Sequence, residues 1–288
     1  MTTKINDDET GGTEISHDGV AARTLGAGPP LFLFHSLLSD RASFDTIAPR
    51  LAKQFQVIIP DLPGFGGSVA TAGGLEDVAD RMASFVASVA PDGDATLFGN
   101  GYGAFVALQI AIRHPALAAS LILAGSGARF SEPGRDAFRG MASAGRSKGL
   151  AAIADTAMAR LFAPEFQAAH PDLMADRRAA FLRTDVAVFE AACLSLAALD
   201  QSAQLPALDL PVLMMVGEQD AATPPAMARE LASLVPNAIL QILPGCAHVP
   251  PLQAPDLVVE AISVFLGNTS AVRAGPHRSQ NLNERSAT

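Results

Sequence analysis

The chain has 288 residues, 49% of them hydrophobic, and a formal net charge of −9. That length and apolar content are enough for one large α/β core with an inserted segment, and the acidic balance argues against nucleic acid and anionic membranes as partners. The two cysteines, Cys193 and Cys246, lie far apart and fit neither a disulfide framework nor a metal-ligand set, and no apolar run reaches the ~20 residues of a bilayer span. A reducing cytoplasm is the expected compartment; neither a metal nor a cofactor is expected, and a homodimer is left open.

Residues 1–18 are polar and carry Asp7-Asp8-Glu9, which matches no secretory or transit signal, so they read as a loose lead. An early strand and turn run from Gly19 to Gly28. Leu31-Phe32-Leu33-Phe34 is a continuous apolar run of the kind buried on both faces of a parallel sheet, and it ends in the turn His35-Ser36-Leu37-Leu38. Phe44, Ile47, Leu51 and Phe55 recur at helical spacing, then Val57-Ile58-Ile59-Pro60 forms a second buried strand. A Gly-rich loop, Asp61 to Ser68, precedes a helix over Leu75 to Val89.

The stretch Ala95 to Phe105 follows, a strand-length apolar run meeting Gly99, Gly101 and Gly103 and passing straight into a helix that stops at His114-Pro115. Such a sharp strand-to-helix turn holds its apex residue in a strained conformation and needs near-absent side chains beside it. Gly99, Gly101 and Ala104 also satisfy G-x-G-x-x-A, a relaxed dinucleotide fingerprint. Two strand-like runs precede it, however, and the next strand, Ser120 to Gly125, ends without an acid for a ribose.

From about Phe130 to Leu205 strand alternation gives way to Ala, Leu, Met and Arg at helical spacing, which predicts an all-helical insertion. The sheet resumes at Val212 to Gly217 and Asp220, and continues through a helix near Pro225 to Leu234 and a strand at Ala238 to Ile242. Gly245-Cys246-Ala247-His248, a helix over about Pro255 to Leu266 and a polar tail complete the chain. Strands alternating with helices predict a mostly parallel sheet flanked by helices. The expected organisation is a core over 19–129 and 206–266, a helical cap over 130–205 and a disordered tail over 267–288.

The His35-Ser36 turn, the Asp61–Ser68 loop, the Gly99–Gly103 turn, the Asp220 strand end and the His248 turn together resemble the α/β-hydrolase superfamily. Within it the chain is most similar to 3-oxoadipate enol-lactonases, through His35 to Leu37, Arg160 to Phe166 and Phe189 to Asp200. The resemblance implies an α/β-hydrolase fold with Asp220 as the acid that orients the general base His248. It also implies an oxyanion hole from the backbone N–H groups of Leu37 and Tyr102. Gly101 stands where the family carries its nucleophile. His35, Ser36 and Asn100 are pocket candidates, and Cys246, two residues before His248, is a small buried hydrophobe more often than a substitute nucleophile. Two functions follow: an enzyme on an ester, lactone or other carbonyl substrate that uses a His-Asp dyad without the usual Ser, or a ligand-binding protein of the same fold without turnover.

Overall fold

The computed structural model describes residues 3–7 and 12–273. Its sheet has nine strands in the order β1-β2-β3-β5-β4-β6-β7-β8-β9. They are β1 (Thr3–Asp7), β2 (Thr13–His17), β3 (Val20–Leu25), β4 (Pro30–Phe34), β5 (Gln56–Pro60), β6 (Ala95–Asn100), β7 (Ala118–Ala124), β8 (Val212–Gly217) and β9 (Ala238–Leu243). From β5 across to β9 all neighbours run parallel, whereas β1, β2 and β3 add an antiparallel edge.

Period-2 alternation sorts the strand side chains onto two cores. Phe32, Phe34 and Leu97 pack on one face with Val78 and Met82 of α2 (Leu75–Val89) and Phe105 of α3 (Tyr102–Arg113). Leu31, Leu33 and Phe98 pack on the other with Phe44 and with Val258 and Ile262 of the final helix. Because both faces are covered, β4, β6, β7 and β8 are buried along their whole lengths, which is why their sequences read as unbroken apolar runs.

The structure corrects the sequence reading at three places. The lead over 1–18 is not loose where it is described: β1 and β2 pair with each other, and β2 pairs with β3. The hairpin between β2 and β3 turns on Asp18 (φ 48°) and Gly19 (φ 75°), the positive-φ pair a two-residue primed turn demands. The single helix expected through Phe44 and Phe55 is broken into a 3₁₀ turn at Arg41–Phe44 and a short α1 (Ala48–Leu51). Pro49, in the first turn of α1, lacks the N–H that a continuous helix would use. The final helix runs on to Arg273, past the expected end at Leu266, and residues 274–288 of the predicted tail lie outside the described residues.

Between β7 and β8 come α4 (Glu132–Lys148), α5 (Ala154–Leu161), α6 (Pro164–Ala169), α7 (Pro171–Leu182) and α8 (Val186–Ala198). Helix α9 (Pro225–Leu234) links β8 to β9, and α10 (Pro250–Gln253) and α11 (Pro255–Arg273) close the chain.

Candidate active site

Four loops converge at the carboxyl ends of parallel strands, where open α/β sheets form their crevices. They are His35 to Leu38 after β4, Gly101 after β6, Asp220 to Thr223 after β8 and His248 after β9. Gly101 has φ 55° and ψ −120°, a region that any side chain occupies under strain. Its N–H donates to the Ala124 carbonyl at 2.9 Å, and its carbonyl accepts from the Ala104 N–H at 2.9 Å. Cβ atoms on Gly99 and Gly103 would drive into backbone atoms of α3 and of the β4 end, so the glycines let α3 lie directly on the sheet. A Cβ on Gly101 would point at Ser36 Oγ and lie 2.9 Å from His248 Nε2.

His248 Nδ1 sits 2.8 Å from Asp220 Oδ2 and 3.3 Å from Thr223 Oγ1. Asp220 is tightly held: Oδ1 accepts from the Ala222 and Thr223 N–H groups, both at 2.8 Å, and Oδ2 accepts from the Thr223 hydroxyl at 2.9 Å. Burial acts to raise the Asp220 pKa, but the His248 ring and the Thr223 donors outweigh it and hold the carboxyl below its ordinary value. Asp220 is therefore an acceptor at neutral pH, so Nδ1 carries the proton and Nε2 is left as the basic atom facing Gly101. Gly125 makes room for the pair, since a Cβ there would come within 2.9 Å of His248 Nδ1 and 3.2 Å of Asp220 Oδ2.

His35 and Asn100 do not line the cavity, contrary to the sequence reading. His35 is fully buried; its Nε2 accepts the Leu62 N–H at 3.1 Å, so Nδ1 carries the proton and donates to the Ser36 carbonyl at 2.9 Å. In a trans peptide the C=O and the following N–H point opposite ways, so this bond turns the Leu37 N–H away from His35. Asn100 Nδ2 donates to the Ala124 carbonyl at 3.2 Å and the His248 carbonyl at 2.8 Å, tying the end of β6 to the His248 turn.

Ser36, Leu37, Gly101, Tyr102 and His248 form the floor of a narrow cavity of about 50 Å³. Phe130, Phe138, Met141, Arg160 and Leu196, from the segment between β7 and β8, form its roof. Among the described residues the N–H groups of Leu37 and Tyr102 donate to no protein acceptor. The Tyr102 side chain is buried, and burial, with Cys193 adding to it, pushes the phenol pKa up, keeping the hydroxyl neutral. Burial likewise pushes the Cys246 thiol up to about 12, assisted by the Asp220 charge, and Cys193 up to about 12. Neither is a thiolate nucleophile. Among the described residues no group of three or more His, Cys, Asp or Glu is arranged to hold a metal ion.

Two residues were missed in the sequence. Thr223 could have been found from Asp220-Ala221-Ala222-Thr223, a turn in which an Asp side chain caps N–H groups two and three residues on. Gly125 carried no signal until its neighbours were known.

Residues 29–255 match the family model described as the alpha/beta hydrolase fold. The chain belongs to that family. It is 32% identical over 260 residues to a pimeloyl-(acyl-carrier protein) methyl ester esterase of Aeromonas hydrophila, covering 86% of this chain and 99% of that protein. A thermophilic esterase from Thermogutta terrifontis superposes with a TM-score of 0.81 at 30% identity, covering 93% of this chain and 99% of that one. The enol-lactonase of Burkholderia xenovorans superposes with a TM-score of 0.81 at 24% identity, covering 88% of this chain and 99% of that one, a likeness of fold alone. Within this α/β-hydrolase chain, no described helix is long and apolar enough to cross a membrane.

Proposed function

We propose that the protein hydrolyses a small carboxylic ester or lactone, with His248 as general base and Asp220 as its orienting partner. The Leu37 and Tyr102 N–H groups stabilise the oxyanion, and Gly101 stands where the fold's elbow carries its nucleophile. The observation that carries this reading is His248 Nε2, 2.9 Å from the point a side chain at 101 would occupy, with Asp220 behind Nδ1. A base so placed deprotonates a hydroxyl group or water in the cavity, contributing ~10²–10⁴-fold, and an oxyanion donor adds ~10²–10³-fold.

Helices α4 to α8 serve as the cap over this site. The relatives named as methyl ester esterases and esterases support a carboxylic ester as substrate. The cavity roof is apolar except for Arg160, which makes no ion pair among the described residues. An apolar acyl chain bearing an anionic group suits that lining.

A panel of p-nitrophenyl and methyl esters assayed with the full chain tests the reading. Turnover that His248→Ala abolishes supports it. Saturable binding of the same esters without turnover, unchanged by His248→Ala, favours the non-catalytic ligand-binding protein, for which the bare Gly101 speaks.

A further inference from the structure

We propose that Ser36 Oγ is the nucleophile, taking the place of the side chain that Gly101 lacks; the inference rests on the hydrolase reading above. Ser36 is 3% exposed and lines the cavity. Its hydroxyl makes no hydrogen bond with any described residue and borders the cavity, open to a ligand or water there. A Cβ on Gly101 would collide with Ser36 Oγ, lie 3.1 Å from Ser36 Cβ and lie 2.9 Å from His248 Nε2. The hydroxyl and the base therefore converge on the one point from which the fold's usual nucleophile would act. No hydrogen bond joins Oγ to Nε2 in this structure, so the base reaches Oγ through one water or after rotation of the Ser36 side chain.

The backbone gives a second reason. In the elbow arrangement the residue after the nucleophile supplies an oxyanion N–H. Ser36 and Leu37 reproduce that relation from the opposite wall. The Leu37 N–H, oriented because His35 holds the Ser36 carbonyl at 2.9 Å, follows the attacking hydroxyl in sequence, and Tyr102 N–H faces the cavity from α3.

The step is conservative in atoms. Ser36 Oγ bonds to the substrate carbonyl carbon as its proton passes to His248 Nε2, giving a tetrahedral oxyanion. That intermediate collapses with cleavage of the bond to the leaving oxygen, which takes the proton from His248 and departs as an alcohol. Water, deprotonated by His248, then attacks the acyl–Ser36 ester; the acid is released and the proton returns to Oγ.

Labelling of the full chain with a fluorophosphonate probe, followed by peptide mass spectrometry, tests this. The adduct is expected on Ser36, absent in Ser36→Ala and formed at least ~10²-fold more slowly in His248→Ala. Ester turnover should fall ~10²-fold or more in Ser36→Ala, while Ser36→Cys should form a trappable thioester. If the unmodified chain turns over esters, gives no Ser36 adduct and keeps its rate within ~3-fold in Ser36→Ala, the inference falls and attack by water on the same site stands. If the unmodified chain gives neither turnover nor adduct, both readings fall together.

Discussion

At the residue scale, Gly101 and Ser36 contend for one small volume. Gly101 holds φ 55° and ψ −120°, so a side chain there is strained by ~1–3 kcal/mol before any contact is made. The contacts add to that, because the new Cβ would meet Ser36 Oγ and His248 Nε2. Gly101→Ser should therefore lower unfolding stability by ~1–3 kcal/mol or more in urea titration. Ser36→Ala removes the atom it would strike. The double variant should then recover at least ~0.5 kcal/mol relative to the sum of the singles, and should regain ester turnover that Ser36→Ala alone loses. Additive stabilities would mean that the two side chains do not share the space. Asp220→Asn is a second residue-scale case. It should keep the fold yet cut turnover by ~10²–10⁴-fold, through loss of the tautomer that leaves Nε2 basic; an undiminished rate would remove His248 from the chemistry.

At the element scale, the helices between β7 and β8 are fastened to the core at identifiable points. The His248 N–H donates to the carbonyl of Leu161, the last residue of α5, at 3.0 Å. Asp40, in the loop after β4, accepts Arg177 Nη1 of α7 at 2.6 Å and Arg183 Nη2 at 2.9 Å, and also caps the 3₁₀ turn through the Ala42 N–H at 3.2 Å. Burial acts to raise the Asp40 pKa, but Arg177 above all holds it below the ordinary value. The two arginines are not equal, since the Arg177 side chain is 10% exposed and that of Arg183 67%. A buried charge stripped of its partner is costly, whereas a solvated pair contributes little. Asp40→Ala should thus cost ~1–3 kcal/mol and Arg183→Ala less than ~1 kcal/mol in thermal or urea unfolding. Equal losses for the two variants would contradict the burial argument. The helical character of this segment could be read from composition, because Ala, Leu and Met at helical spacing bury locally. Its fastenings could not, as Asp40 and Arg177 are separated by more than a hundred residues and no local pattern links them.

At the scale of the whole molecule, what was legible follows from what local chemistry fixes. The parallel strands announced themselves because both their faces are buried, and the turn around Gly101 because the backbone packs too closely at Gly99 and Gly103 for any side chain. The antiparallel edge was missed: β2 is mostly half-buried and polar, although Asp18-Gly19 was there as a hairpin signal. His35 and Asn100, expected to line the pocket, do not line the cavity, since a sequence does not show which way a side chain points. His35 packs inward and serves the cavity through the Ser36 peptide.

That inward histidine makes the stability of the molecule depend on pH. Burial lowers the His35 pKa from the ordinary 6.5, partly offset by the Ser36 carbonyl and by Asp61 and Asp40. Neutral His35 accepts the Leu62 N–H, an arrangement a protonated ring could not keep. The unfolded chain takes up this proton near pH 6.5, before the folded chain does. Its contribution is therefore complete above pH 6.5 and declines as pH falls below it, by at most ~1.4 kcal/mol per unit until the folded group also titrates. Asp40 and Asp220, both lowered from 3.8, add their losses only below that value. Urea unfolding across pH 8 to 4.5 should show stability falling with acid in the unmodified chain, and His35→Gln should flatten that fall by about one proton's worth. Absolute stability of the variant will be lower because the Ser36 and Leu62 bonds are weakened, so the slope is the quantity to compare. An unchanged slope would mean that His35 is not held neutral, and the Leu62 N–H would then need another acceptor.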